Sequence, residues 1–367
     1  MRPRLLYLVG QLRPGGMERQ LWSLLQAMDR QHYRPAVAVW NYHEEDTYVS
    51  HLRALGVPLH PLPHGISRPM RLRAFRRLVG RLQPEVIHSY CFHTNFAAWW
   101  AALGRNAVAV GALRGEFTRA MQESGPWLGR LCARWPRAQI CNSFAAAEIV
   151  RRSRSPFAPG QLYVIRNGVD LRRFRAVPLS TAGQAYILGV GSLFRVKRWD
   201  RLLRAVLSLK RRGLDVLARI VGSGPLRESL QQQAQALGIA ACVEFLGHRE
   251  DIPGLLADAT FLTHTSDSEG CPNVVMEAMA CGRAVVATDV GDTPTLVDHQ
   301  KTGFVVPCGD DAALVERMAT LIADRQLCRR MGEAARLKAE REFGVDRLVT
   351  ATLATYRAVG WKDRGSA

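Results

Sequence analysis

The chain has 367 residues, 47% of them hydrophobic, which suits two globular domains and excludes a disordered or fibrous protein. Its formal net charge is +18, and most of it lies in residues 1–170, which hold 23 Arg, no Lys and 10 acidic residues. This charge leaves nucleic acid, an anionic membrane and anionic small molecules as candidate partners.

Short apolar runs alternate with amphipathic stretches along the first half of the chain. The first run, in MRPRLLYLVG, ends after about six residues, so it predicts a strand rather than a secretory signal or a membrane span. Predicted strands are 5–9, 36–40, 58–62, 86–88, 107–113 and 139–142, and predicted helices are 18–28, 47–55, 71–82 and 96–103. This alternation predicts a parallel sheet that is covered by helices on both faces.

The same alternation restarts near residue 186. Strands are predicted over 186–190, 216–221, 243–245, 261–263 and 284–287, and helices over 199–211, 225–237, 273–280 and 312–323. The stretch 177–184, VPLSTAGQ, is the predicted linker, and a last helix over 346–359 follows a break at 343–344. The predicted fold is therefore α/β, with two Rossmann-like doubly wound domains (1–176 and 177–345) and a C-terminal helix in 346–367. Ligands bind such sheets at the carboxyl ends of the strands, which are expected to face a cleft between the domains.

The cysteines and the charge narrow the classes of function. The eight cysteines form no CxxC pair and no zinc-finger spacing, which indicates reduced thiols in a cytoplasmic protein. No helix-turn-helix, RNA-recognition or zinc motif accompanies the positive charge. Nucleic-acid binding is therefore an alternative that rests on charge alone, and no nucleic-acid partner is expected.

Three glycine-rich turns follow predicted strands, at residues 15–16, 191–192 and 222–224. In each, the missing side chains let the backbone approach a ligand, and the N–H groups at the start of the next helix favour an anion. The turn at 191–192 is also followed by Arg195 and Lys197, and an arginine fork with a mobile ammonium suits a pyrophosphate. Ordinary tight turns and solvated surface charges are the alternatives.

Two glutamates eight residues apart flank the predicted start of a helix in SEGCPNVVME. Pro272 suits the start of that helix and Gly282 suits its end. Glu269 therefore lies in the loop before the helix, and Glu277 lies inside it among Met and Ala residues. A carboxylate on an apolar helix is costly unless it is paired or binds a ligand. The alternatives are a partner for the helix dipole at Glu269 and a solvated helix face at Glu277.

This spacing and the segments around it resemble the retaining glycosyltransferases of family 4. The E-x7-E pattern begins at Glu269 and continues into the segment GCPNVVMEAMACGRAVVATDVGD. This segment resembles the donor-site block of that family nearly residue for residue. Other matching segments are IRNGVDLRRF, VGSGPLRESL, VEFLGHREDIP and KTGFVVPCGDDAAL, with GGME and PEVIHSY in the first half. The resemblance covers nearly the whole chain and implies the GT-B fold, in which a C-terminal crossover helix packs back on the first domain.

The resemblance implies a site for a nucleotide diphosphate sugar in the second domain. Glu277 would bind the ribose hydroxyls, and Glu269 would contact the donor sugar. Lys197, together with Arg195, would neutralise the diphosphate leaving group, so Glu269, Lys197 and Arg195 are the predicted catalytic residues. The other predicted donor-binding residues are Gly270, Cys271, Pro272, Asn273, Gly191, Ser192, Gly222, Gly224, Arg249 and Ile252.

The acceptor or phosphate side is expected in the first domain, at Gly15, Gly16, His88, Arg114 and Asn167. Two positions depart from the family pattern. Ser192 stands where the family often has an arginine, and Arg195 could supply that charge. Arg114 stands where the family often has a histidine, which removes one polar group from the acceptor side.

The implied reaction is transfer of a sugar, with retained anomeric configuration, from a nucleotide diphosphate sugar to a hydroxyl in cell-envelope polysaccharide, lipopolysaccharide or glycolipid synthesis. UDP and GDP are the expected nucleotides. Preorganised N–H groups and cations would stabilise the leaving phosphate, so neither a metal nor a resident cofactor is expected. A catalytically inactive sugar-nucleotide-binding homologue and a sugar-nucleotide epimerase are the alternatives.

Two basic amphipathic stretches favour contact with an anionic membrane surface. In residues 68–82, six arginines alternate with apolar side chains, and residues 119–137 also combine arginine with tryptophan and leucine. Acceptors in this family are often lipid-linked or are envelope glycans. The expected location is therefore the cytoplasm, at the inner face of the cell membrane. Ordinary sheet-covering helices with a solvated arginine face are the alternative.

Overall fold

A computed structural model describes residues 4–115, 117–179 and 183–363. The chain forms two units: the first comprises Met1–Gly168 with Val345–Ala367, and the second comprises Val169–Gly344. The division therefore falls after Gly168 rather than after residue 176, because the Val169 N–H donates to the Phe343 carbonyl at 2.7 Å and Phe174 packs in the core of the second unit. Within the predicted linker, residues 180–182 lie outside the described residues.

The first unit is built on a parallel seven-stranded sheet. Its strands, β1 to β7, are Leu5–Val9, Pro35–Val39, Leu59–Pro61, Val86–Ser89, Val108–Leu113, Ala138–Cys141 and Gln161–Val164. Its helices, α1 to α8, are Gly16–Ala27, Arg30–Tyr33, Thr47–Ala54, Arg68–Leu82, Asn95–Ala102, Phe117–Ser124, Pro126–Arg134 and Phe144–Ser153. The strand order is β3-β2-β1-β4-β5-β6-β7. In β1, Leu5 and Tyr7 face one apolar core while Leu6 and Leu8 face another, so both faces of the sheet are covered.

The second unit repeats this design on a parallel six-stranded sheet. Its strands, β8 to β13, are Ala185–Val190, Val216–Val221, Val243–Gly247, Phe261–His264, Ala284–Thr288 and Gly303–Val306. Its helices, α9 to α15, are Trp199–Arg211, Arg227–Ala236, Ile252–Asp258, Asn273–Ala280, Thr293–Leu296, Asp311–Ala323 and Arg325–Glu342. The strand order β10-β9-β8-β11-β12-β13 places the change of winding direction between β8 and β11. Ligands bind doubly wound sheets at such a point.

The last helix, α16 (Val345–Ala358), returns to the first unit and packs against α1. Tyr356 on α16 is buried, and its hydroxyl lies 2.7 Å from Nδ1 of His88 on β4 and 3.3 Å from the hydroxyl of Tyr7 on β1. After the helix, the Trp361 indole N–H donates to Glu85 at 2.7 Å, and Asp363 pairs with Arg4 at 2.7 Å. The core of the first unit is therefore closed by the end of the chain.

The two basic stretches expose different side chains. In α4, Phe75 and Leu78 are buried in the core, so the solvent-facing surface of that helix is mainly arginine. The stretch 119–137 forms two helices, α6 and α7, because Gly125 adopts a φ of +89° between them and Pro126 begins the second. Trp127 on α7 is 77% exposed, although such side chains are usually covered. Within the described ranges, no helix is long and apolar enough to cross a membrane.

Candidate active site

The carboxyl ends of β8, β9 and β10 carry turns that are joined by backbone hydrogen bonds. The Gly191 N–H donates to the Val221 carbonyl at 2.9 Å, and the Gly222 N–H donates to the Gly247 carbonyl at 2.8 Å. The predicted glycine turns at 191–192 and 222–224 therefore form one continuous layer at this edge of the sheet.

Gly222 and Gly224 are required by close approach of two backbone segments. Their φ values of +145° and +159° lie where glycine is favoured. A Cβ atom on Gly222 would lie 1.9 Å from the carbonyl oxygen of Gly191, and one on Gly224 would lie 2.7 Å from that of Leu193. Packing alone accounts for both glycines, so their contact with a nucleotide stays a prediction.

Lys197 and Glu269 meet in a small polar cluster at the end of β11. The Lys197 ammonium forms an ion pair with Oε1 of Glu269. The same oxygen accepts a hydrogen bond from the Ser266 hydroxyl at 2.7 Å, and Nε2 of His264 lies 3.2 Å from it. His264 is the last residue of β11 and is buried, so the strand fixes its position. The structure therefore brings together two of the three predicted catalytic residues and adds His264 and Ser266 to them.

The environment of Glu269 keeps its carboxylate ionised. Burial alone would raise its pKa, but the hydrogen bond and charge from His264, together with the Lys197 ammonium, outweigh burial and hold the pKa well below its usual range. An ionised carboxylate accepts hydrogen bonds and cannot act as a general acid at neutral pH. The cluster can therefore bind hydroxyl groups at Glu269 and place a cation beside them.

Lys197 lies at the end of a short 3₁₀ helix, Arg195–Lys197, that follows the turn after β8. The Thr265 hydroxyl donates to the Lys197 carbonyl at 2.8 Å, which anchors this helix to the end of β11. Arg195 is exposed, and within the described residues its guanidinium forms no hydrogen bond or ion pair. Ser192 is also exposed. That Arg195 assists Lys197 or replaces an arginine at position 192 stays a prediction.

A network of ion pairs between arginines and aspartates lies next to the Lys197–Glu269 cluster. The buried Arg201 contacts Asp311 at 2.8 Å and Asp267 at 3.1 Å, and Arg198 contacts Asp267 at 2.8 Å. The Asp267 carboxylate is therefore paired with two arginines. Over the ranges described, no group of three or more His, Cys, Asp or Glu is placed to hold a metal ion.

The loop that carries Glu269 is held by the turn after β12. Gly291 has a φ of +54°, and a Cβ atom there would lie 2.3 Å from the Glu269 carbonyl oxygen. The Asp292 N–H donates to the Gly270 carbonyl at 2.8 Å. Cys271 and Pro272 are buried, whereas Gly270 and Asn273 are half-buried. Of these four residues, Gly270 and Asn273 are the more accessible to a ligand.

Glu277 is the one ionisable residue of α12 and is only 3% exposed. The alternative of a solvated helix face is therefore wrong for this residue. Its neighbours on the helix, Met276 and Ala278, are fully buried. A buried carboxylate on an otherwise apolar helix is unusual, and the ribose-binding role of Glu277 stays a prediction.

Arg249 and Ile252 differ in exposure. Arg249 is exposed, whereas Ile252 begins α11 and packs in the apolar core of the second unit. Of the two, Arg249 alone offers a side chain to a ligand.

His88 is not brought to the edge of its sheet with the other predicted acceptor-side residues. It lies in the core among the rings of Tyr7, Tyr90 and Tyr356 and is 2% exposed. Burial, and to a lesser extent the positive charge of Arg114, hold its pKa well below the usual range. His88 is therefore a neutral packing residue that hydrogen-bonds α16.

The remaining predicted residues of the first unit lie just beyond the carboxyl ends of β1, β5 and β7. Gly15 lets the Glu18 carboxylate fold back, because a Cβ atom on Gly15 would lie 2.3 Å from Oε2 of Glu18. Arg114 is half-buried, with its guanidinium 3.7 Å from the ring centre of Tyr90. Asn167 is buried, 3.4 Å from Asn142. Gly16 is the first residue of α1.

Two family descriptions match the chain. Residues 171–338 match "Glycosyl transferases group 1", and residues 14–173 match "Glycosyltransferase Family 4". The GDP-mannose-dependent alpha-(1-6)-phosphatidylinositol monomannoside mannosyltransferase of Mycolicibacterium smegmatis is 31% identical over 349 residues, which cover 88% of this chain and 90% of that protein. A D-inositol 3-phosphate glycosyltransferase of Saccharomonospora viridis is 28% identical over 354 residues, covering 84% of this chain and 80% of that protein.

The fold is similar to that of the Anabaena protein HepE, solved in complex with UDP. The TM-score is 0.84 at 22% identity, and the likeness covers 97% of this chain and 100% of that chain. This likeness shows the GT-B fold.

Proposed function

This chain belongs to the group 1 glycosyltransferases of family 4, and we propose that it transfers a hexose from a nucleotide diphosphate sugar to a hydroxyl with retained anomeric configuration. The observation that carries the proposal is the Lys197–Glu269 ion pair beside the glycine turns of the second unit. The presence of Lys197, Glu269 and Glu277 together favours this activity over an inactive homologue.

The proposed chemistry uses the charges of this cluster. Breaking the bond between the sugar and the phosphate leaves negative charge on the diphosphate, and the Lys197 ammonium stabilises it in the transition state. Glu269 holds Lys197 in place and accepts hydrogen bonds from the sugar hydroxyls. Retention puts the acceptor oxygen on the face that the phosphate leaves, so the leaving phosphate oxygen can take the acceptor proton. Neither a metal nor a resident cofactor is part of this proposal.

The proposed donor contains GDP or UDP, and the proposed acceptor is a lipid-linked or glycan hydroxyl. One relative is named as a GDP-mannose-dependent enzyme acting on a phosphatidylinositol monomannoside, and a structural neighbour was solved with UDP. These names support the classes of donor and acceptor.

A nucleotide series tests the donor site directly. We expect either UDP or GDP to raise the melting temperature of the protein, whereas ADP and CMP leave it unchanged. A ligand at 100 times its dissociation constant adds about 2.7 kcal/mol to the free energy of unfolding. In domains of this size, that corresponds to a shift of about 5–10 °C. Thermal unfolding followed by intrinsic fluorescence gives the measurement.

Two variants extend this nucleotide series: Glu277→Gln tests the proposed donor site, and Glu228→Gln is its matched control. Glu277 is buried in α12, whereas Glu228 is exposed in the first turn of α10. We expect the nucleotide shift to disappear in Glu277→Gln and to persist in Glu228→Gln. A wild-type protein that no nucleoside diphosphate stabilises would contradict the proposed function.

We also propose that the protein works in the cytoplasm and contacts the inner face of an anionic membrane through the first unit. The solvent-facing surface of α4 is rich in arginine, and α7 presents Trp127 with Arg130 beside its ring. Exposed arginines attract anionic lipids, and an exposed tryptophan suits the level of the headgroups.

Vesicle sedimentation at physiological salt tests this contact. We expect the protein to sediment with vesicles that contain phosphatidylglycerol, and Trp127→Ser to reduce the bound fraction several-fold because the apolar anchor is lost. The matched control is Leu337→Ser, which removes an exposed apolar side chain from α15 in the second unit. Equal binding of the two variants would argue against α7 as the contact.

A further inference from the structure

A cavity of about 340 Å³ lies where β2 and β3 begin, in the first unit. Its apolar walls include Pro35, Val57 and Leu82. The opposite ends of these parallel strands point toward the edge that carries Gly15 and Arg114. The cavity is therefore separate from the residues predicted to bind substrates.

The polar side chains of this cavity are cationic or neutral. Arg30, Arg34 and His60 line it, and none of the described residues that line it is acidic. Nη1 of Arg30 donates to the carbonyls of Leu25 and Gln26, at 3.0 and 2.9 Å, which fixes that side chain at the end of α1. Its other guanidinium nitrogens have no partner within the described part of the chain.

Arg34 is held in a backbone conformation that disfavours its side chain. It ends α2 with a φ of 44° and a ψ of 60°, in the left-handed region where glycine is the usual residue. Its N–H donates to the Arg30 carbonyl at 3.0 Å, and its carbonyl accepts from the Arg4 N–H at 3.2 Å. Over the described ranges, the guanidinium of Arg34 forms no hydrogen bond or ion pair that would offset this strain. Backbone strain of this kind is concentrated at functional sites.

We infer that this cavity is a binding site for a phosphate monoester. Two guanidinium groups without a carboxylate partner match the charge of such a group, which is close to −2 at neutral pH. Guanidinium forks also bind phosphate oxygens in pairs. Pro35, Val57 and Leu82 leave an apolar wall for a small organic part. His60 supplies a ring nitrogen, and burial, with the nearby charge of Arg81, lowers its pKa and favours its neutral form.

The phosphate could belong to a soluble metabolite or to the headgroup of a lipid such as phosphatidate, and the chemistry of recognition is the same. The inference does not depend on the proposed transferase function. Two probes distinguish the sources: glycerol 3-phosphate titrated by calorimetry, and phosphatidylcholine vesicles with and without phosphatidate in a sedimentation assay.

The structure offers a matched pair of variants for both assays. In Arg34→Gly, the guanidinium is lost while the left-handed backbone becomes favourable, so the fold is retained. Arg154→Gly makes the same change at the end of α8, where the exposed Arg154 has a φ of 46°. Arg154 ends α8, which packs beside β6 and β7. These strands lie at the opposite edge of the seven-stranded sheet from β2 and β3.

We expect Arg34→Gly to weaken binding by about 10- to 100-fold, as the loss of a charged hydrogen-bond donor does, and Arg154→Gly to leave it unchanged. If this difference appears with glycerol 3-phosphate, the ligand is soluble, and if it appears only with phosphatidate vesicles, the ligand is a lipid headgroup. Equal effects of the two variants, or no binding of either probe to the wild-type protein, would overturn the inference.

Discussion

Replacing Lys197 by alanine is expected to lower kcat by roughly 10²–10³-fold, the range seen when one preorganised group that stabilises transition-state charge is removed. The structure places the Lys197 ammonium against Glu269. In the proposed reaction, the negative charge of the leaving diphosphate develops beside this ammonium. The fold should survive the change, because Glu269 keeps its contacts with Ser266 and His264. The measurement is release of nucleoside diphosphate from UDP-glucose or GDP-mannose, whichever matches the nucleotide that stabilises the protein.

Two further lysine variants make this experiment specific. Lys301→Ala removes an exposed lysine of the same unit and should leave turnover unchanged. Lys197→Arg keeps the charge with a different geometry, so its rate should fall between those of the alanine variant and the wild-type protein. If Lys197→Ala turned over as fast as Lys301→Ala, the leaving-group role of Lys197 would be wrong.

Glu269→Gln is expected to lower turnover by a similar factor of about 10²–10³, because the amide can no longer balance the Lys197 charge or accept as an anion from sugar hydroxyls. It should also destabilise the fold at neutral pH, since Lys197 is largely buried and loses its partner. Turnover and the melting temperature, measured on the same preparation, give both results.

The loss of stability in this variant should depend on pH in a defined direction. The pKa of Glu269 is lower in the folded protein than in the unfolded chain, so its contribution to stability is present above about pH 4.3 and is lost as the pH falls below it. The difference in melting temperature between wild type and Glu269→Gln should therefore narrow from pH 7 to pH 3.5. Glu244→Gln, which breaks the surface pair with Arg219, should show a small difference at both pH values. If the difference in melting temperature between wild type and Glu269→Gln stayed constant over this pH range, the low pKa of Glu269 would be contradicted.

The sequence predicts the helix of the proposed donor site well because its limits are set locally. Pro272 and Gly282 bracket the predicted helix 273–280, and α12 has those bounds, with Gly282 at a φ of +70°. The resemblance then supplies the roles of Glu269 and Glu277, which local patterns leave open. Strong local signals and a specific motif agree in this segment, so little depends on distant contacts.

Two partners of Glu269, His264 and Ser266, are not among the residues predicted from the sequence. They precede Glu269 by only five and three residues, at the end of β11, whereas Lys197 reaches the carboxylate from 72 residues away. A signal was available, since the polar run HTS (264–266) directly follows the predicted strand 261–263, at the carboxyl edge where doubly wound sheets bind ligands. Arg201 carries no such signal, because its aspartate partners are distant in sequence.

The core position of His88 could not be predicted from the residues around it. A central parallel strand is buried on both faces, so alternation along it does not distinguish a core histidine from one at the ligand-binding edge. Its partner, Tyr356, is 268 residues away on the last helix. Pairing across that distance is a property of the fold and is not visible in the residues around His88.

The return of α16 to the first unit has a consequence for the order of events during synthesis. Residues 169–344 leave the ribosome as a complete unit whose two ends lie side by side, bridged at Val169 and Gly344. Tyr356 and Trp361, which close the core around Tyr7, emerge only after that unit. The part of the chain that is made first is therefore the last to finish folding, and its apolar surface needs protection throughout translation of everything that follows it.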